Sequence, residues 1–370
     1  MSFLKMPTTD FAHPPYAWLA FPILDSQRWL GFDIFAAWLD AHLMSLMFFL
    51  AGLFTWPSLN GKGGRAYLLA RLTRLGAPFV LALFVIMPIA LYPAYVATGL
   101  DPGLTAYAQT YLALPFWPNG PMWFLWMLMA MTLIPAALHR FIPGLAAFLS
   151  RLSSGAAQAP GRYFLGLAAV ATLAYVPLAL AFSPWNWTNH GPISFQSSRP
   201  VLYFVYYLAG CGVGAHGLAD GLLAGGGQLA RHWRRWAIAA PVSLFVWMGL
   251  TGLSLSYPDG APFWLQLASA VSYAVAGASS VFFMLAAAIR WRASRSRWLD
   301  ALSHNAFGIY LLHYAPLVWL QYAMLGVSAP ASVKAVLVFA GTLAASYAAT
   351  TAYGWVTRGA RAPARAATSG

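Results

Sequence analysis

Of 370 residues, 60% are apolar and only 8% are charged, a balance that excludes a water-soluble globule of this size. The formal charge of +13 sits between apolar runs, where it marks membrane topology and attraction to anionic headgroups and gives no reason to expect nucleic acid as a partner. Cys211 is the one cysteine, so an intrachain disulfide and a multi-cysteine metal site are both excluded; no His-rich metal spacing occurs either, and no metal is expected.

Taken in chain order, residues 1–35 carry Pro7, Pro14, Pro15 and Pro22 with scattered Asp10, Asp25 and Asp33, and read as an external loop or a truncated N-terminal segment. Apolar runs follow near 36–56, 76–98, 121–141, 163–183, 200–219, 236–256, 263–289, 303–325 and 332–356. Each is about 20 residues, enough for a hydrocarbon core of about 30 Å. Continuous runs predict helices rather than a membrane barrel, because the bilayer offers no water to pair a free backbone group. The fold class is therefore an all-α polytopic bundle of about nine transmembrane helices, forming a single domain over 36–357. Residues 143–161 and 217–230, rich in Gly, Ala and Ser, read as cytoplasmic connections too short to fold alone, and the basic tail 358–370 as disordered. The small residues from Gly210 to Gly217 suit close helix packing, within this bundle or between chains. Trp56, Trp123, Trp185, Trp236, Trp264, Trp298 and Trp355 fall near span ends, where an indole prefers the headgroup layer.

Lys and Arg divide unevenly between the two sets of loops. One set holds Lys62, Arg65, Arg71, Arg74, Arg140, Arg151, Arg162, Arg231, Arg234, Arg235, Arg290, Arg292, Arg295, Arg297, Arg358, Arg361 and Arg365; the other holds only Lys5, Arg28, Arg199 and Lys334. The positive-inside rule makes the first set cytoplasmic, together with the C-terminus. With about nine spans, residues 1–35 then lie outside with no span before them to export them, and a further helix upstream is expected, making about ten. Arginine outnumbers lysine and alanine is abundant, a composition that fits a GC-rich bacterial gene and hence a bacterial inner membrane.

Local motifs carry a resemblance. Met44-Ser45-Leu46-Met47-Phe48-Phe49-Leu50-Ala51-Gly52, followed by Arg71-Leu72-Thr73-Arg74-Leu75-Gly76-Ala77-Pro78-Phe79, resembles the second span and basic loop of the acyltransferase 3 family. Pro121-Met122-Trp123-Phe124-Leu125 is similar to the family's Trp-Phe-Leu start of a middle helix. Leu302-Ser303-His304-Asn305-Ala306-Phe307-Gly308-Ile309-Tyr310-Leu311-Leu312-His313 resembles its late helix, with Ala306 in place of the usual Ser. The likeness runs in order from about residue 42 to 325.

The resemblance implies a membrane O-acyltransferase that moves a short acyl group, of the acetyl or succinyl class, from cytosolic acyl-CoA to a hydroxyl of an extracytoplasmic glycan or glycolipid. It also implies a first helix bearing an Arg and a catalytic His, which no segment here matches. Leu24-Asp25-Ser26-Gln27-Arg28 echoes the opening of that helix, but Arg28 to His42 is too long and Asp33 and Asp40 interrupt a span. Arg28 is thus expected as a loop charge, and His42 at the start of a helix facing the outer headgroups.

The catalytic residue is left unassigned, with His313 as fallback: an ionisable group deep in a span tends to face a cavity or a partner. Asn305, Tyr310 and His313 share that helix and, with Trp123, are expected to line the pocket. Arg71 and Arg74, at i and i+3, are the candidate clamp for the phosphates of the acyl-CoA co-substrate. Lys62 and Arg65, in a loose Gly-rich turn, read as solvated charges. Arg199 lies beside the aromatic and amide run Trp185-Asn186-Trp187-Thr188-Asn189-His190 and is the acceptor-side candidate, since rings stack on pyranose faces and amides bond hydroxyls. Two other classes stay open: a non-catalytic membrane partner, and a permease or flippase for lipid-linked or small solutes. Ion-coupled transport is disfavoured by the absence of Glu and of internal repeats.

Overall fold

The computed structural model describes residues 23, 25–142, 144–291 and 296–366, with backbone alone at 139, 140 and 355–366. The helices are α1 (Leu30–Leu53), α2 (Thr55–Lys62), α3 (Gly64–Arg71), α4 (Ala77–Leu81), α5 (Met87–Val96), α6 (Leu104–Leu112), α7 (Trp123–Phe141), α8 (Leu145–Ser153) and α9 (Pro160–Phe182). A hairpin of β1 (Trp187–His190) and β2 (Ile193–Gln196) precedes α10 (Pro200–His216), α11 (Gln228–Arg231), α12 (Trp233–Leu255), α13 (Phe263–Trp291), α14 (Arg297–Leu312), α15 (Tyr314–Ala323) and α16 (Ala331–Ala366). All the apolar runs picked out in the sequence are helical.

Among the described residues, seven stretches are long and apolar enough to cross a bilayer: Leu30–Lys62, Gly64–Val96, Gly120–Leu138, Pro160–Phe182, Trp233–Leu255, Phe263–Trp291 and Ala331–Gly354. The chain is an all-α, multi-pass membrane bundle. The two remaining predicted spans are α10, with 17 residues, and α14 with α15, which are parted at His313. Pro316 explains that break, because its ring displaces the Leu312 carbonyl and supplies no N–H to it.

Proline also shapes the second stretch. Leu72–Gly76 and Ala82–Ile86 are π-helical turns, and Pro78 and Pro88 follow them closely. Each proline removes the donor that an α-helix would aim at the carbonyl four residues back, Arg74 or Phe84, and that carbonyl lies inside the π turn. Widening the turn relieves the clash without ending the helix.

α1 and α10 form the axis of the bundle, since residues of both belong to each of the two buried clusters. Glycines allow their crossing. A Cβ at Gly210 would collide with the Phe49 carbonyl, one at Gly214 with the Leu53 carbonyl, and one at Gly52 with the Tyr207 carbonyl. α8 then closes on the outer side of α10, where a Cβ at Gly212 would stand 2.7 Å from the Leu149 carbonyl and from Ser153 Oγ. The small-residue run thus packs helices within one chain.

Several local expectations give way. The connection 143–161 contains α8, which packs on α10 through Leu149 and Ser153. Asp33 and Asp40 do not interrupt α1: Asp33 sits in its first turn, where an acid complements the helix dipole, and Asp40 is ion-paired. Trp56 is buried at 1% exposure rather than placed in the headgroup layer, whereas Trp264 and Trp298 are well exposed. α16 carries helical backbone to Ala366, and residues 367–370 of the basic tail lie outside the described residues. Lys5, Arg292 and Arg295 lie outside the described residues.

Arg-bearing connections meet at one end of the bundle. Trp233, at the start of α12, packs edge-on to Trp291 at the end of α13, 5.2 Å between centroids, and Gln228 N–H donates to the Ala157 carbonyl at 3.5 Å. At the cation-poor end, Lys334 Nζ donates to Asp25 Oδ2 at 2.6 Å and Gln27 N–H to Asp25 Oδ1 at 2.8 Å. The Lys334 bond, then the Gln27 bond, hold the Asp25 carboxyl below its ordinary value of 3.8. A depressed carboxyl stabilises the folded state fully above its unfolded pKa, and the benefit is lost as pH falls through the folded one. The tether of residue 25 to α16 should therefore hold at neutral pH and release in acid below about pH 4. The protection of backbone amides around Gln27, measured against their intrinsic exchange rate at each pH, should fall in that acid range, and Asp25→Asn should lower it already at pH 7; an unchanged Asp25→Asn profile would contradict the tether.

Candidate functional site

Asp40 on α1 and Arg199, which caps α10, are joined across the bundle axis. Arg199 Nη1 donates to Asp40 Oδ1 at 2.7 Å and Nη2 to Oδ2 at 2.6 Å, a fork-to-fork pair. Arg199 is 3% exposed, while the Asp40 side chain keeps 32% exposure. The guanidinium lies 5.0 Å from the centroid of the Tyr273 ring, and Tyr273 Oη donates to the Asp40 backbone carbonyl at 3.2 Å. Arg199 Nε is left buried with no partner among the described residues. Arg199, the acceptor-side candidate, is thus a buried, ion-paired cation.

Beside this pair is a cavity of about 500 Å³ between the ends of α9, α12 and α13, with Arg199 in its wall. Tyr175, Tyr273, Trp185 and Trp247 supply aromatic surface, and Thr251, Ser254, Ser269 and Gln266 supply polar groups. Thr251 and Ser269 hydroxyls are 2.8 Å apart, and Gln266 Nε2 donates to the Ala261 carbonyl at 2.6 Å, which turns its amide oxygen to other donors. Such a wall can stack on a ring and bond several hydroxyls.

The run Trp185–His190 divides in the structure. Trp185 lines the cavity, whereas Trp187–His190 forms β1, paired antiparallel with β2 from Trp187 opposite Gln196 to His190 opposite Ile193. Gly191 turns the hairpin at φ 53, a conformation glycine adopts without a Cβ clash. Asn186 Nδ2 donates to Ser197 Oγ at 3.3 Å, so that amide is spent on the hairpin. Trp117 N–H and Asn119 Nδ2 donate to the Gly191 and Pro192 carbonyls at 3.0 and 2.9 Å, tying the hairpin to the start of α7.

An aromatic chain connects most of the remaining candidates. Arg199 Nη1 donates to Tyr203 Oη at 3.4 Å, Tyr203 stacks on Trp123 at 5.8 Å, and Phe48 packs on Tyr203 and Phe124 at 5.1 and 4.9 Å. Phe124 meets Tyr310 edge-on at 6.0 Å, and Tyr310 lies 5.9 Å from the His313 ring. Tyr310 Oη donates to the Pro121 carbonyl at 2.6 Å, which anchors α14 to the start of α7. Trp123, Tyr310, His313 and Arg199 thus belong to one connected layer. Asn305 does not: its amide donates to the Ala301 carbonyl of its own helix at 2.9 Å.

Three histidines share one geometry: His313, His42 and, at the arginine-rich end, His232, whose Nδ1 is 3.0 Å from the Gln228 carbonyl. His313 Nδ1 is 2.6 Å from the Tyr310 carbonyl, and His42 Nδ1 is 2.6 Å from the Trp38 carbonyl. A carbonyl only accepts, so in the neutral ring Nδ1 carries the hydrogen and Nε2 the lone pair. His313 is half-buried, and His42 is 1% exposed on the helix that carries Asp40, instead of facing the outer headgroups.

Arg71 and Arg74 lie at the opposite, basic end. Arg71 is half-buried with its guanidinium 5.1 Å from the Tyr67 ring centroid, and Arg74 is exposed. A π turn, Leu72–Gly76, begins between them and contains Arg74.

Sequence reasoning missed Asp40, Tyr175, Tyr273, Trp247, Thr251 and Ser269. For Asp40 a signal existed, because an acid inside an apolar helix needs a partner and Arg199 was the cation at the same end. The cavity wall had none, since its residues come from separate helices.

Neither a curated protein nor a solved structure gives a significant match to the chain. A family model described as an acyltransferase domain, that of the acyltransferase 3 family, matches residues 13–351, most of the chain, and includes every motif quoted above. The chain belongs to this family of membrane acyltransferases.

Proposed function

We propose that this membrane acyltransferase moves a short acyl group, of the acetyl or succinyl class, from acyl-CoA to a hydroxyl of a glycan or glycolipid. The cavity beside Arg199 carries this reading: its rings suit a pyranose face, and its hydroxyls and amide suit sugar hydroxyls. The donor approaches from the arginine-rich end, where Arg71 and Arg74 offer planar cations to phosphate. That end is cytoplasmic by the positive-inside rule, in a bacterial inner membrane, and the acceptor cavity opens at the cation-poor, extracytoplasmic end.

In the transfer, the acceptor oxygen attacks the thioester carbonyl, its proton passes to a histidine Nε2, and CoA leaves as the thiol. Hydrogen-bond donors stabilise the oxyanion of the tetrahedral intermediate. Of the three rings held by a carbonyl at Nδ1, His42 shares α1 with Asp40 and His313 belongs to the aromatic layer, whereas His232 lies at the arginine-rich end; Nε2 of His42 and of His313 are therefore the nitrogens suited to the proton.

The test is acyl transfer from labelled acetyl-CoA by the purified chain in lipid vesicles. Replacing the histidine that takes the proton by Ala should lower the rate by about 10²–10⁴-fold. Full activity in both His42→Ala and His313→Ala would exclude both residues as the proton acceptor. Uptake of solute independent of acyl-CoA would favour a transporter instead.

A further inference from the structure

At the arginine-rich end, α8, α9 and α10 leave a groove of about 530 Å³ between them. Leu152, Val170 and Leu208 line it, and Arg162 stands among its wall residues at the start of α9. Gly166, one turn further along, forms part of the same wall, and a Cβ there would meet no atom within 4 Å. The absent side chain is thus what keeps this part of the groove open, and no packing contact requires it. Leu152 and Val170 are 59% and 51% exposed, so the groove opens to the side, toward what surrounds the bundle. Polar surface is sparse in it: Tyr163 Oη is turned to the Ala209 carbonyl at 3.4 Å, which leaves Arg162, exposed, as the charged group in the wall.

We infer that this groove holds an acyl chain of an anionic phospholipid, with the phosphate at Arg162. An apolar slot that begins at a cation and runs along a membrane helix matches a molecule with a charged head and an alkyl tail. Arg151, exposed at the end of α8, adds positive charge near the same mouth, and the wall contains no acid. A zwitterionic lipid would fill the slot but gain little from Arg162, so the site favours anionic headgroups. A sugar or a free nucleotide gains nothing from the apolar wall.

The probe is phosphatidylglycerol against phosphatidylcholine of the same chains, counted as lipids retained by the purified full chain in native mass spectrometry. The intact chain should retain phosphatidylglycerol preferentially. Arg162→Ala should lower that preference by about fivefold, the value of one basic residue at an anionic headgroup. Gly166→Leu, whose side chain enters the open groove, should lower retention of both lipids while the thermal unfolding midpoint is kept. Arg65→Ala, exposed and outside the groove, should change neither. Equal retention of the two lipids by the intact chain, or unchanged retention in both Arg162→Ala and Gly166→Leu, would overturn the assignment. None of these readouts depends on acyl transfer.

Discussion

Arg199→Ala is expected to destabilise the bundle by at least about 3 kcal/mol, the lower part of the range for breaking a buried ion pair. The variant removes both charged hydrogen bonds of Asp40, at 2.7 and 2.6 Å, and leaves a carboxylate on α1 facing aromatic side chains. Asp40 keeps some exposure, which holds the loss to the low end of the range. Asp40→Asn should cost a similar amount, because it strands a guanidinium that is itself 3% exposed. Replacing both residues by leucine should recover much of the stability, since no unpaired charge then remains. The same double variant should still lose acyl transfer if the pair shapes the acceptor cavity. Thermal unfolding in detergent, read beside transfer activity, checks both parts. Stability losses that simply add in the double variant would show that the two residues do not act as a pair.

Gly210→Ala should be as damaging, although it adds one methyl group. That methyl would run into the Phe49 carbonyl, which is backbone and cannot rotate aside. Relief requires α1 and α10 to move apart, and these two helices contribute to both buried clusters. Overpacking typically costs about 1–3 kcal/mol, and a backbone clash on the bundle axis belongs at or above the top of that range. Gly249→Ala on α12, where a Cβ meets no atom within 4 Å, is the matched control and should change stability by less than about 0.5 kcal/mol. Equal unfolding midpoints for the two variants would contradict the close crossing.

Most of the helical layout is legible from hydropathy, because a bilayer leaves an apolar run of sufficient length one hydrogen-bonded solution. Departures occur where a local pattern meets a distant partner. Asp40 reads as a break in a span until Arg199, 159 residues away, is placed against it. Trp56 reads as an interface anchor by its position at a span end, but it is enclosed in the core. α8 is short and amphipathic, and only the glycine at 212 gives it a surface to lie on. The π turns before Pro78 and Pro88 carry no hydropathy signal.

The candidate site divides in the same way. Trp123, Tyr310 and His313 were found through motifs, and the fold joins them through Phe124 and Phe48. Arg199 is legible as a cation beside an aromatic and amide run, whereas its burial beside Asp40 follows from a tertiary contact. Thr251 and Ser269 come from different helices, and neither is marked in sequence as a partner of the other until α12 and α13 pack together.

The most direct test of the acceptor cavity is glycan labelling by the purified chain in vesicles supplied with labelled acetyl-CoA, comparing the intact protein with Ser254→Trp. That substitution fills the cavity from its wall and leaves Asp40, Arg199, His42 and His313 unsubstituted. Labelled glycan from the intact chain, with a loss of at least about tenfold in a Ser254→Trp protein of unchanged unfolding midpoint, is the predicted result. Equal labelling by the two proteins would contradict an acceptor bound beside Arg199.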